Sequence, residues 1–306
     1  MTYLDAQMQA FVEHSLSYYL ADAVAAKMQQ QRQWYSRFCE SMASPRPSKL
    51  VIQNANVLGL DGHKIPLRHY KPTHLSAAPL NQKIQVVYFH GGGFVLGGLD
   101  SHDNVCAEIA DICAVKLVAV DYRLAPEHQY PCDINDCLAL VDDLLMQGKQ
   151  LILVGDSAGG TLAACVSNAR ANFTGTQLLA QVLIYPSLAG DTTTKSRQEH
   201  ANAPMLTQAD MTFYRAVRLG GLESKVPTQD ALYCPLQAQS FGGLPPGYLF
   251  SAQVDPLHDD CELYQQALQA AGIKVENHIK LGRGLVHGYL RARHTSDKAA
   301  ANFAAL

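Results

Sequence analysis

Although the chain holds 8 cysteines and 12 histidines, it has no Cys-x-x-Cys pair and no His-x-x-x-His spacing. The usual spacing signals for a bound metal are therefore missing, and none is expected. No apolar run reaches the roughly 18 residues needed to cross a bilayer, and Met1-Thr2-Tyr3-Leu4-Asp5 lacks the basic start and apolar stretch of a secretory leader. A cytoplasmic location is the expectation, without stable membrane insertion. Charge of one sign is not in excess either: a net −3 over 306 residues gives no reason to expect nucleic acid or an anionic membrane as partner. The cysteines (39, 106, 113, 132, 137, 165, 234 and 261) lie mostly in apolar surroundings and read as buried, reduced thiols, since a free cysteine behaves as a small hydrophobe.

What is present is a long α/β rhythm. Hydrophobic residues at 48% and charged residues at 17% fit a globular chain long enough for one large core with a smaller appendage. Residues 1 to about 45 read as helical, with Leu4, Met8, Phe11, Val12 and Leu16 at spacings of three and four, until Ser44-Pro45-Arg46-Pro47 breaks the pattern. Two strand-like runs flank Asp61-Gly62, a hairpin signal. Buried-strand runs then end at Phe89, Val120, Val154 and Tyr185, each followed by helical sequence except the last. Such alternation predicts a mostly parallel sheet covered on both faces, with ligands at the carboxyl ends of its strands. Between about Leu188 and Gln239 the strand rhythm stops, and Thr207-Gln208-Ala209-Asp210 resembles a capping box. It resumes at Tyr248-Leu249-Phe250, followed by a helix stopped by Gly272, and a last strand is expected from Val275 to Leu281.

Four loops carry candidate chemistry. Gly155-Asp156-Ser157-Ala158-Gly159-Gly160 sits between a buried strand and a helix. Glycines two before and two after the serine remove Cβ atoms from a sharp turn, so that Ser157 can be held exposed at a helix N-terminus. Alone, a motif this short decides little. His90-Gly91-Gly92-Gly93-Phe94 ends another strand, and consecutive glycines there let backbone N–H groups approach an anionic oxygen. Asp255 and His287 stand at later strand ends, giving the chain order serine, acid, histidine, which differs from the orders on other triad folds. Asp259 and Asp260 are alternatives to Asp255, although they open a helix where a carboxylate is ordinarily a capping group. His258 is the alternative to His287.

Together with Tyr122-Arg123-Leu124-Ala125-Pro126-Glu127-His128 and Val286-His287-Gly288, these motifs resemble the bacterial branch of the hormone-sensitive lipase family of esterases, over roughly residues 84 to 290. The resemblance implies an α/β-hydrolase fold in which 46–187 and 240–306 form the catalytic domain, 1–45 contribute the N-terminal part of a helical cap, and 188–239 are the cap insertion. It implies a carboxylic ester hydrolase for small esters with short acyl chains, needing no cofactor, with Ser157 as nucleophile, His287 as general base and then acid, and Asp255 orienting the imidazole. The oxyanion would be held by N–H groups of Ala158, Gly92 and Gly93, with Gly91 shaping the approach. His90 is expected to brace the glycine loop, Asp156 to hydrogen-bond locally without catalytic role, and Arg123 with Glu127 to form a structural ion pair. The bend at Pro126 is a candidate cis peptide. A homodimer fits family habit. The same residues also suit an amide or lactone hydrolase, and the fold serves elsewhere as a non-catalytic small-molecule receptor, a use in which the histidine is lost.

Overall fold

Strand β3 (Ile84–Phe89) shows why a sheet lies at the centre of the molecule. Its side chains alternate between two separate cores, Val86 and Tyr88 on one face, Val87 and Phe89 on the other, so both faces must be covered and the strand can afford no polar side. The computed structural model describes residues 4–19, 25–75, 83–171, 177–190 and 193–306; Met1 to Tyr3 and the loop through Pro79 lie outside them. Among the described residues, β1 (Leu50–Leu58), β2 (Lys64–Pro72), β3, β4 (Lys116–Val120), β5 (Gln150–Asp156), β6 (Leu178–Ile184), β7 (Gly247–Phe250) and β8 (Val275–Asn277) form an 8-stranded sheet in the order β1-β2-β4-β3-β5-β6-β7-β8. The hairpin β1–β2 is antiparallel and β2 also runs antiparallel to β4, whereas all pairs from β4 to β8 are parallel.

Helices α1 (Ala6–Leu16) and α2 (Met28–Ser41) precede the sheet. α3 (Asp103–Ile112), α4 (Cys132–Met146), α5 (Ala158–Arg170) and α8 (His258–Ala270) follow strands β3, β4, β5 and β7, and α9 (Asp297–Phe303) ends the chain. In the stretch without strands lie α6 (Lys195–Glu199) and α7 (Gln208–Leu219), the latter opened by the expected capping box: Asp210 N donates to Thr207 Oγ1 and Thr207 N to Asp210 Oδ2. The apolar stripe of α1 behaves as its spacing predicts for Met8, Phe11 and Val12, which are buried; Leu16 is 58% exposed and instead faces a cavity described below.

The last strand is shorter than expected. It ends at Asn277, opposite Leu249, where Asn277 Oδ1 accepts from Ile279 N at 2.8 Å and Ile279–Gly282 turns into a 3₁₀-helix. Consequently His287 lies ten residues beyond the sheet. A single parallel bridge, Val254 to Val286, with Val254 N donating to Leu285 O at 3.0 Å, ties the two loops that carry Asp255 and His287. All eight cysteines are unpaired thiols, most of them buried, and no helix of the described residues is long and apolar enough to cross a membrane. The Ala125–Pro126 peptide is cis, as is Tyr130–Pro131.

Candidate active site

β5 delivers the serine. Ser157 adopts φ 54°, ψ −121°, a region that a residue with a side chain occupies only under constraint. Ser157 N donates to Ile184 O at 2.8 Å, and α5 starts at the next residue. A Cβ on Gly155 would overlap the Gly159 carbonyl, and one on Gly159 would overlap the Phe89 carbonyl, so strand, turn and helix touch backbone to backbone.

His287 Nε2 lies 2.9 Å from Ser157 Oγ, and His287 Nδ1 lies 2.7 Å from Asp255 Oδ2. A carboxylate only accepts, so Nδ1 carries the proton and Nε2 presents its lone pair to the serine hydroxyl. Asp255 is wholly buried, and its Oδ1 accepts from Leu257 N at 2.8 Å, which fixes the carboxylate against rotation. The alternatives are engaged elsewhere. Asp260 accepts from Leu188 N and Ala189 N and pairs with Arg197, while Asp259 accepts from Ser196 N. Both bind the 188–239 stretch rather than capping their own helix, as their position suggested. His258 Nδ1 contacts Ala252 O and Ser251 Oγ.

The glycine loop faces the serine. Gly92 and Gly93 have φ of 124° and 62°, and their N–H groups, like that of Ala158, donate to no protein acceptor among the described residues. Gly91 differs: its N–H donates to Asp156 Oδ1 at 3.0 Å, so it holds the loop and is not free for a substrate oxygen. His90 braces the same loop as expected. Its Nδ1 donates to Gly91 O at 2.9 Å, its ring stacks on Tyr122 at 4.2 Å, and Tyr122 OH donates to His90 O at 2.7 Å. Burial lowers the His90 pKa to about 4, so the imidazole is neutral at neutral pH.

A nucleophile on a strand-to-helix turn, a histidine and acid on later loops, and converging backbone donors form one connected constellation. The model of the alpha/beta hydrolase fold family matches residues 86–291, more than half of the chain and all of this machinery. The chain belongs to this family. Its relatives place it in the hormone-sensitive lipase branch. Esterase LipI of Mycobacterium tuberculosis is 39% identical over 212 residues, covering 67% of this chain and 65% of LipI. Carboxylesterase NlhH of the same species is 35% identical over 250 residues, covering 79% of this chain and 76% of NlhH. Among solved structures, a hyperthermophilic esterase from the archaeon Pyrobaculum calidifontis is 26% identical with a TM-score of 0.82, covering 100% of this chain and 96% of that one. An ester-hydrolase from the Lake Arreo metagenome, complexed with a bipyridine phosphonate derivative, is 28% identical with a TM-score of 0.86, covering 99% and 97%.

In this α/β-hydrolase Asp156 does more than hydrogen-bond within its own turn. Besides Gly91 N, it accepts from Tyr88 OH at 2.8 Å, lies 3.3 Å from His102 Nε2, and is 3.4 Å from Tyr185 OH. Arg291 Nη2 reaches His102 Nε2 at 2.9 Å and Tyr35 OH on α2 at 3.2 Å. Burial opposes ionisation of Asp156, but the contacts of His102 and Tyr88 and the positive charge of Arg291 outweigh it and hold the pKa below the ordinary carboxylate range. Burial lowers His102 to about 4. None of His102, Arg291, Tyr88 or Tyr35 stood out in the sequence, because the network joins positions 35, 88, 102, 156 and 291.

The expected Arg123–Glu127 pair does not form. Arg123 chelates the buried Asp136 through Nε and Nη2 and reaches Asp61 in the hairpin turn, whereas Glu127 pairs with Arg32 of α2 at 2.7 Å. Four residues apart on an irregular segment, the two side chains leave in different directions, one toward α4 and one toward α2. Arg32 also donates to Val95 O and Ala125 O, each at 2.9 Å, so α2 is attached to the segment that continues the glycine loop.

Two cavities open on Ser157 and share Gly93, Leu206 and Tyr214. The larger, about 700 Å³, includes His287 and Gly92 and is roofed by α1, α2 and the 204–214 segment; the smaller, about 110 Å³, includes Ala158 and lies under α7.

Proposed function

We propose that this α/β-hydrolase cleaves carboxylic esters of small molecules through an acyl-serine, with Ser157 as nucleophile, His287 as base and acid, and Asp255 as its orienting carboxylate. Ser157 Oγ attacks the ester carbonyl carbon as its proton passes to His287 Nε2. The resulting imidazolium is stabilised by Asp255 2.7 Å away. The new oxyanion sits among the N–H groups of Gly92, Gly93 and Ala158, donors already oriented before reaction and therefore worth most in a dry site. Collapse breaks the bond to the alcohol oxygen, which leaves with the proton from His287. Water then gives a proton to His287 and its oxygen to the acyl carbon, and the proton returns to Ser157 Oγ as the carboxylic acid departs.

The observation that carries this reading is the continuous hydrogen-bond path from Ser157 Oγ through both His287 nitrogens to a wholly buried carboxylate. A receptor has no use for that path. In the same reading, residues 1–45 and 188–239 serve as the cap over the catalytic domain, supported by their share in lining the larger cavity. Turnover of p-nitrophenyl acetate and butyrate, with stoichiometric phosphonate labelling of Ser157, is the expected result. Ser157→Ala should remove both, with kcat down by about 10⁴ or more. Absence of turnover and of labelling in the folded wild-type protein overturns the assignment.

A further inference from the structure

The glycine loop carries a backbone that does not keep its shape unaided. Gly92, Gly93 and Phe94 follow one another at φ of 124°, 62° and 65°, and Phe94, with a side chain, keeps such a conformation only where its surroundings hold it. Gly92 O accepts from Val95 N at 3.1 Å and from Leu96 N at 2.8 Å, and Phe94 O from Ala125 N at 3.0 Å. The donors Gly92 and Gly93 therefore sit in a tight turn whose aim depends on how its two ends are fixed. The leading end is fixed by the elbow itself, since Gly91 N donates to Asp156 Oδ1.

The trailing end is fixed by Arg32 of α2. Its Nε donates to Val95 O and its Nη2 to Ala125 O, each at 2.9 Å, while Nη1 and Nη2 grip the two carboxylate oxygens of Glu127 at 2.9 and 2.7 Å. Val95 and Ala125 are buried, and neither carbonyl accepts from another donor among the described residues; such groups are ones a fold ordinarily satisfies. The ion pair by itself is a weak anchor, its side chains being 31% and 55% exposed, a setting in which such pairs contribute little. What the two-point grip on Glu127 does is fix the plane of the guanidinium, so that its other N–H groups meet the loop. Met28 and Tyr35 of the same helix pack on the cluster of Val95, Leu96 and Ala125. Apolar contact of that kind lets a helix slide, whereas hydrogen bonds to two carbonyls set its register.

Resting on the ester-hydrolase reading above, we propose that Arg32 is a positioning residue for the oxyanion donors, through which the seating of α2 sets the aim of Gly92 and Gly93. Arg32 itself lines neither cavity at Ser157, so it acts through Val95 and Ala125 and not by touching substrate. Gln31, Tyr35 and Phe38 of α2 and Gly92, Gly93 and Leu96 of the loop line the same larger lobe. A substrate that fills this lobe therefore bears on both sides of the clamp, and binding energy gained at the helix is expressed in the aim of the donors, in kcat more than in KM.

The test uses the full chain carrying Arg32→Ala or Arg32→Lys; lysine keeps a cation opposite Glu127 but offers a point donor in place of the fork. With p-nitrophenyl butyrate, Arg32→Ala should lower kcat about tenfold and move KM by less than about threefold, a fraction of the roughly 10²–10³ cost of deleting an oxyanion donor. Arg32→Lys should fall between that variant and the wild type. A matched pair of inhibitors separates donor aim from pocket shape. Ser157 Oγ adds to the carbonyl carbon of benzyl trifluoromethyl ketone as its proton passes to His287 Nε2, and the former carbonyl oxygen becomes an oxyanion at the glycine loop. The secondary alcohol of the same skeleton binds without forming one. Arg32→Ala should weaken the ketone about tenfold and leave the alcohol within about twofold of its wild-type Ki. A residue that only anchored α2 or shaped the lobe would weaken both alike and leave their ratio standing. A kcat within about twofold of the wild type in both variants, or an unmoved ratio while activity falls, overturns the proposal. If Arg32→Ala does not fold, the ratio in Arg32→Lys decides, with a fall of about threefold or more expected. Either failure with wild-type Ser157 still labelled by phosphonate leaves the ester-hydrolase reading intact; loss of turnover and labelling in the wild type removes that reading itself.

Discussion

Asp156→Asn separates a residue that holds the glycine loop from one that merely fills the core. The native carboxylate, 6% exposed, accepts from Gly91 N and Tyr88 OH, faces His102 and Tyr185 OH, and its negative charge favours the buried Arg291 cation. Gly91 N, Tyr88 OH and His102 Nε2 converge on Oδ1; asparagine offers them an uncharged acceptor, sets an NH₂ where Oδ2 faced Tyr185 OH, and removes the charge that balances Arg291. Breaking one side of a buried charge relationship costs about 3–5 kcal/mol. At roughly 2–4 °C per kcal/mol for a large domain, the melting temperature should fall by about 6–20 °C. The kinetic effect has a separate origin. With Gly91 held only by a weaker, uncharged acceptor, Gly92 and Gly93 lose part of their fixed aim, and since displacing an oxyanion donor is bounded by the roughly 10²–10³ cost of deleting one, kcat should fall about ten- to a hundredfold with KM little changed. Thermal melting followed by circular dichroism gives the first quantity, and p-nitrophenyl butyrate kinetics well below the melting range gives the second. A variant that melts early but keeps kcat within about twofold would refute the positioning argument, and one unchanged in both would refute the network.

Gly93→Ala forces a side chain onto a residue at φ 62° and sets its Cβ 2.6 Å from the Tyr214 ring; kcat should drop by about 10² or more, and Gly93→Ala/Tyr214→Ala should recover part of the loss, which no recovery would contradict. Arg123→Ala strands the buried Asp136 carboxylate and should cost about 3–5 kcal/mol in urea denaturation, whereas Glu127→Ala removes an exposed pair and should cost about 1 kcal/mol or less; equal costs would mean the partners are wrongly identified. His90 and His102 are both held near pKa 4 by burial, below the unfolded value of about 6.5. The unfolded chain therefore binds up to about two more protons as pH falls from about 6.5 to 4, so this stability is present above that window and is lost on acidification through it. Urea midpoints measured across the window should decline, and a flat profile would show that the two imidazoles titrate normally in the fold.

Most of the frame was legible because it depends on local patterns: β-branched runs, the Asp61-Gly62 hairpin, the capping box at Thr207, and glycines around Ser157. The order of Ser157, Asp255 and His287 was legible for the same reason, each lying beside its own short motif. Partner choice was not. Arg123 and Glu127 share a motif but not a neighbour, because which carboxylate a long side chain meets is decided by how α2 and α4 pack. The role of Asp156 was equally hidden, since its partners come from four elements. Nor could the end of β8 be read from Val275 to Leu281, where apolar residues recur at Ile279 and Leu281 but the Asn277 side chain accepts from Ile279 N and the chain turns into a 3₁₀-helix.

The contacts between the elbow and its surroundings have a consequence for how this enzyme can diverge. Gly155 against Gly159 and Gly159 against Phe89 O set main chain on main chain, and at Gly91 the neighbour is the Asp156 carboxylate and carbonyl. The separation of nucleophile and oxyanion donors is therefore a property of backbone radii and one carboxylate, indifferent to which apolar residues fill the two cores. Core substitutions should spend stability long before they disturb the reacting geometry, while α1, α2 and the 204–214 segment, which roof the larger lobe from outside that block, are free to change what enters. Lineages descended from such a protein can drift in substrate without renegotiating their chemistry.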